Sequence, residues 1–239
     1  MKKIIALGII AASLTAGVLI IGLQSNPSEI AAPEKSLDKP EMFSLPASSS
    51  ISKNITRDLS EKIGKEIIAR NPEGPALINN DEWVKALDPE EVINKLLADD
   101  IENFNYKDLM PSINLNELKI ASEPNPQLTK QYLKNFQSIL KNNFLDLSFN
   151  SKNPDYADFN RLIAAYEKTI AEFYNLATPQ ELAAVHQKEI ALLSAQKTIF
   201  ENIKNYKNDP VLALLSIQAN GQIDQEFTRL KEKINDFIK

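Results

Sequence analysis

Cysteine is absent from all 239 residues, which removes disulfide bonds, thiolate metal sites and cysteine nucleophiles together. Glycine is scarce. Of six, Gly8, Gly17 and Gly22 fall in an apolar N-terminal run, leaving Gly64, Gly74 and Gly221 scattered over the rest. Phosphate cradles and dinucleotide turns need clustered glycines so that backbone N–H groups approach the ligand closely, and no such cluster exists. Histidine occurs once, as His186. Positive charge is not in excess: 27 Lys and Arg face 32 Asp and Glu, a net charge of −5. Lys2 and Lys3 precede the apolar run, so the remainder is more acidic still. Without a basic face to release counterions, nucleic acid is not an expected partner.

What is present begins with residues 4–23, the uncharged run IIALGIIAASLTAGVLIIGL directly behind Met1-Lys2-Lys3. At ~1.5 Å per residue such a helix is ~30 Å long, the thickness of a hydrocarbon core. In lipid its backbone polar groups are satisfied only by an intact helix. The first charge after the run is Glu29 and the first lysine is Lys35. The positive-inside bias therefore predicts a signal-anchor: a single-pass cell-membrane protein with residues 1–3 cytoplasmic and the C-terminal domain extracytoplasmic. The competing reading is a cleaved signal peptide, for which Ala11-Ala12-Ser13 supplies small residues. Cleavage there splits the apolar run in half, and no cysteine is available for a lipid. Residues 24–53 are rich in Pro, Ser and Ala, with Pro27, Pro33, Pro40 and Pro46 too close together for a helix. They are predicted to be a tether spanning ~30 Å.

Residues 54–239 are predicted to be an all-α domain, an antiparallel helical bundle with long C-terminal helices. Five segments begin with a polar residue directly before proline, the pattern of a capped helix start: Asp88-Pro89, Asn125-Pro126, Asn153-Pro154, Thr178-Pro179 and Asp209-Pro210. Thr178-Pro179-Gln180-Glu181 also has capping-box spacing. Apolar residues recur at helical intervals behind these starts. Ile55, Leu59, Ile63 and Ile67 mark a first helix, stopped by the turn at 71–75, and Val92, Leu96 and Leu97 a short second one. A third is marked by Leu128, Tyr132, Phe136 and Leu140, and a fourth by Phe159, Leu162, Tyr166, Ile170 and Phe173. The fifth is expected over 179–206. The sixth runs through Leu212, Leu215, Ala219, Ile223, Phe227, Leu230, Ile234 and Phe237, with Gly221 outward. Links of about three residues would make the last three helices antiparallel neighbours, the third completing a four-helix bundle. The stretch 103–122 is read as a short strand or a loop across the bundle, with Ile113, Leu115, Leu118 and Ile120 needing cover.

The single histidine falls in a polar group on an apolar helix face, His186, Glu189 and Gln196, on the side shared by Leu182, Leu193 and Phe200. Its spacing, H-x-x-E, is the reverse of the E-x-x-H that di-iron bundles use twice, and one histidine cannot build such a centre. The reading taken is a buried polar cluster that fixes helix register, with a weak metal or acid–base site as the alternative. No catalytic residue, cofactor or metal site is assigned. No G-x-S-x-G or S-x-x-K context is present, and neighbouring acids such as Asp99-Asp100 and Glu90-Glu91 diverge by ~100° on a helix. Asn54-Ile55-Thr56 is a formal glycosylation sequon.

The run from Leu176-Ala177-Thr178-Pro179 through His186 to Asp209-Pro210-Val211-Leu212-Ala213-Leu214 resembles uncharacterised single-pass, membrane-anchored helical proteins of small-genome candidate-phylum bacteria. The turn Asn71-Pro72-Glu73-Gly74-Pro75 is similar to theirs as well. The resemblance implies an anchor, a Pro/Ser tether and a helical domain, and no particular activity. The expectation is a structural or protein-interaction component of the cell envelope or of a secretion or surface assembly, with an unidentified protein partner. The alternative is a bundle that binds a small ligand or metal at His186 and Glu189.

Overall fold

A computed structural model describes residues 54–72, 98, 104–123, 125–145, 147 and 156–236. The anchor at 4–23, the tether, the short helix through Leu96 and the starts at Asp88 and Asn153 lie outside the described residues, as do Phe237 and most of the 71–75 turn. Among the described residues, no helix is long and apolar enough to cross a membrane.

The described body is all-helical: α1 (Ile55–Arg70), α2 (Pro126–Phe144), α3 (Tyr156–Tyr174), α4 (Ala183–Lys204) and α5 (Pro210–Asp236), with 3-10 turns at Tyr106–Leu109, Leu115–Glu117 and Gln180–Leu182. The start of α2 follows its sequence signal. Asn125 Oδ1 accepts from the Gln127 and Leu128 N–H groups at 3.0 and 3.2 Å, with Pro126 at the first position. The stripes expected on α3 and α5 are the buried ones: Leu162, Tyr166, Ile170 and Phe173 on α3, and Leu212 to Ile234 on α5. Gly221 faces out, in open space.

The start of α4 departs from expectation. Thr178 caps nothing: its hydroxyl donates to the Leu176 carbonyl. Its backbone instead pairs with the 119–121 segment, Thr178 N–H to Lys119 O and Ala121 N–H to Thr178 O. Glu181 accepts from the Thr129 hydroxyl at 2.6 Å rather than closing a capping box. The pairing of Thr178 and the Glu181 bond together hold this segment to the 119–121 stretch and to α2, and the α-helix begins only at Ala183, so the link from α3 is longer than three residues. The same bridge, Ile120 to Thr178, is the full extent of β-structure in the 104–122 stretch, which is a loop with two 3-10 turns. The loop buries Leu109, Ile113 and Leu118 against the helices, while Leu115 stays 44% exposed.

Helices α2 to α5 lie side by side in chain order. Phe136 stacks on Phe173 at 4.9 Å and Asn143 Nδ2 donates to Thr169 Oγ1, so α2 and α3 run antiparallel. Contacts from Phe173 to His186 and from Tyr166 to Gln196 set α3 against α4 in the same way. Lys188 pairs with Glu226, and Asn202 bonds Ser216, setting α4 against α5. The Tyr106–Leu109 turn covers α4 and α5, and α1 packs on α5. Helix α4 is therefore the centre, with 14 of its 22 residues buried. A helix in that position needs apolar residues around most of its circumference, and IALLSAQKTIF supplies them.

Helix α1 is held differently. The buried Asp209 carboxylate caps α5 by accepting from Leu212 N–H at 3.0 Å. It also accepts from the Ile55 and Thr56 N–H groups at 2.8 and 3.2 Å and from the Thr56 hydroxyl at 2.6 Å. Thr56 Oγ1 in turn accepts from Val211 N–H at 3.0 Å. One carboxylate thus serves the exposed N–H groups of two helix starts, which a negative charge at a helix N-terminus favours twice over.

Candidate functional site

The three residues singled out on α4 are all buried: His186 at 0%, Glu189 at 1% and Gln196 at 2% exposure. They do not form one cluster. Each end is tied to a tyrosine on a different helix.

His186 sits between rings of α2 and α3. Its Nε2 lies 2.9 Å from the Phe173 carbonyl, and its Nδ1 lies 3.1 Å from the Tyr132 hydroxyl. A carbonyl only accepts, so Nε2 carries the proton and Nδ1 accepts from Tyr132, which defines the neutral tautomer. Burial lowers its pKa to about 4, partly offset by the Phe173 carbonyl, so the ring is uncharged at neutral pH. The Tyr132 ring meets the imidazole edge-on at 5.5 Å and Phe173 lies 5.6 Å away. Both nitrogens are in use, so no lone pair is left for a metal ion or a substrate proton.

Glu189, one turn on, has a carboxyl oxygen, Oε2, that is buried without a hydrogen-bond partner. Desolvation pushes its pKa up to about 8, so it is protonated at neutral pH. Its charge, when present, opposes ionisation of Tyr132, which places the two groups near each other. No bond joins Glu189 to His186, whose ring nitrogens face Tyr132 and Phe173.

Gln196 belongs to a second group. Its Oε1 accepts from the Tyr166 hydroxyl of α3 at 2.8 Å, and the Tyr166 ring stacks on Phe200 at 5.6 Å. The aromatic stripe of α3, read in the sequence as apolar core, therefore supplies the hydrogen-bond donor. Buried polar residues of α5 were missed, among them Ser216 and Asn220 at 0% and 1% exposure, as was the half-buried Asp224. Asn220 lies three residues before Ile223 and seven before Phe227, so the same periodicity that found the stripe could have flagged it. Burial raises the Asp224 pKa to about 6.

The ion pairs lie on the flanks of the seam. Lys188 of α4 hydrogen-bonds Glu226 of α5 and holds that carboxyl below its usual range, with Arg229 adding to the effect. Lys197 reaches Glu167 of α3 and Glu201 at 3.3 Å each. An open depression of about 490 Å³ lies at the far end of α4, lined by Tyr156, Glu201, Asn202, Lys204, Asn205 and Asn208. It begins ~20 Å or more along the helix from His186. Among the described residues no three His, Asp or Glu side chains come together as metal ligands.

The sequon is also structurally occupied. Asn54 Oδ1 caps α1 through Arg57 N–H at 2.7 Å, its Nδ2 donates to the Asn208 carbonyl, and Thr56 is bound to Asp209.

Comparison of the chain with protein-family models, with curated proteins and with solved structures finds no match.

Proposed function

We propose that this chain is a membrane-anchored, extracytoplasmic helical domain that works as a structural or protein-interaction component of the cell envelope or of a secretion or surface assembly. The single observation that carries the interaction half is the bonding of His186: both ring nitrogens are committed to other helices. The side chain most suited to chemistry thus serves to join helices, and the same is true of Gln196 through Tyr166. A body whose one imidazole is spent on joining helices suits a rigid post more than a reaction vessel. The anchoring half rests on residues 4–23 and the lysine pair before them.

Alkaline-carbonate washing of membranes tests the anchor: the full-length chain is expected to stay in the pellet, and its release contradicts the reading. Crosslinking on intact cells tests the interaction: a partner recovered in fixed stoichiometry is expected, and a strictly solitary chain contradicts it.

A second reading, a small-ligand or metal site at His186 and Glu189, is favoured by one observation, the unpartnered Glu189 Oε2. Calorimetric titration of the full chain with zinc, repeated on His186→Leu, separates the two. A saturable heat that vanishes in the variant supports the second reading, and the absence of heat in both removes it.

A further inference from the structure

The α4–α5 interface carries a polar gap that the apolar stripe of α5 does not explain. Ser216 and Asn220 interrupt that stripe, and both are buried. Ser216 is matched, since Asn202 Nδ2 donates to its hydroxyl at 2.9 Å. Asn220 is half matched: its Nδ2 donates to Asp224 Oδ2 at 3.2 Å on the same helix, while its Oδ1 is buried with no protein partner.

Asn202–Ser216 at one end and Lys188–Glu226 at the other fix the antiparallel register of the two helices. Midway between those contacts, Gln196 falls level with Asn220. Its Oε1 is taken by Tyr166, and its Nε2 is buried and unpartnered. Asp224 Oδ1 is the third such atom. Its charge opposes ionisation of the Tyr166 hydroxyl, which brings Asp224 into the neighbourhood of the Tyr166–Gln196 pair. One N–H donor from α4 and two oxygen acceptors from α5 are therefore left over at the same level of the bundle, beside a hydroxyl of α3.

Leaving a buried polar atom unpaired forfeits its hydration with no return, and three together are hard to sustain in a packed interface. A water molecule accepts from one donor and donates to two acceptors, which is the set required, and buried waters typically make about three hydrogen bonds. We propose that one ordered water is bound between α4 and α5, accepting from Gln196 Nε2 and donating to Asn220 Oδ1 and Asp224 Oδ1. A cation fits the set poorly, because an N–H group faces it and a single carboxylate offers charge. The water is then the link that ties α5 to the Tyr166–Gln196 bond, so the polar seam spans three helices rather than two.

Water–protein cross-relaxation at the Gln196 side-chain amide of the full chain in detergent, at pH 7, tests the site. A long-lived water cross-peak is expected at Gln196 Nε2–H, and its loss in Asn220→Leu. A Gln196 amide without that cross-peak overturns the proposal, as does a cross-peak that survives unchanged in Asn220→Leu. Should Asn220→Leu fail to fold, a solvent-resolving crystal structure of the unaltered chain, soaked in rubidium, decides the matter. One solvent peak within hydrogen-bond distance of all three atoms, without anomalous signal, supports the water. Direct Gln196–Asn220 or Gln196–Asp224 bonding, or an anomalous peak, overturns it.

Discussion

Helices α4 and α1 are held to the same body by opposite means. Fourteen residues of α4 are buried, whereas α1 buries only Leu59 among its 16 and leaves Ile68 70% exposed. Helix α4 is held by apolar contact on most sides, with His186 and Gln196 bonded to tyrosines of the neighbouring helices. Helix α1 is held at one end, where Asp209 bonds the first N–H groups of α1 and of α5. The contrast separates two ways of placing a helix. Area removed from water is cooperative and spread over many residues, while end-capping concentrates the hold in a single group.

The largest loss is expected where burial is deepest. Phe173 is fully buried, stacks on Phe136 and offers its carbonyl to His186. Phe173→Ala is expected to cost about 3–5 kcal/mol, the usual loss for a core aromatic, measured by denaturant unfolding. Helices α2, α3 and α4 should be lost in one transition, because the ring touches all three. At the other end, Asp209→Ala removes a cap from two helices, each worth about 1 kcal/mol, so a loss of about 2 kcal/mol or more is expected in thermal melts. Hydrogen exchange should show α1 amides unprotected while the middle of α4 stays protected. Equal loss in both helices contradicts the end-capping account.

Within α4 itself the buried titratable groups make stability depend on pH. Glu189 keeps a proton up to about 8 in the folded chain, against an ordinary value of 4.5. Its contribution is therefore complete below pH 4.5 and is lost as pH rises through about 8. Asp224 acts in the same sense, but its contribution is already lost by about pH 6, above an ordinary 3.8. His186 acts oppositely: held near 4 against 6.5, it contributes above pH 6.5 and loses that as pH falls toward 4. From pH 6.5 to 8 only the Glu189 slope remains among these three. Stability should fall by about 2 kcal/mol over that interval, at ~1.4 kcal/mol per pKa unit. Glu189→Gln should flatten the decline, and a decline that persists in the variant contradicts the assignment. The smallest effect belongs to the surface. Arg57 and Glu61 on α1 pair at 3.2 Å while largely exposed, so Arg57→Ala should change stability by less than about 0.5 kcal/mol.

Legibility in the sequence followed the range of the interactions. The Asn125-Pro126 start and the α3 and α5 stripes depend on neighbours within a few residues, and they were readable. Thr178-Pro179 has the same local form yet starts no α-helix, because its backbone is drawn into a bridge with residue 120, some 58 positions away. Asp209 was readable as the cap of α5 and unreadable as the cap of α1, whose first turn lies over 150 residues upstream. The burial of His186, Glu189 and Gln196 followed from helical spacing. Their partners did not, since Tyr132, Phe173 and Tyr166 come from two other helices and look like ordinary core residues. Leu115 shows the limit from the other side, because loop residues lack the period that tells an apolar side chain which way to point.

His186 is sealed between α2 and α3 with both ring nitrogens occupied, and the joining role of the polar seam stands or falls on that. As the sole histidine, it gives one imidazole signal set in a nitrogen-15 spectrum, free of overlap. A neutral Nε2–H ring whose shifts hold steady from pH 8 down to about 5, and which zinc leaves untouched, is the expected result. Titration near the ordinary value of 6.5, or a shift of the Nδ1 resonance on adding zinc, would contradict it.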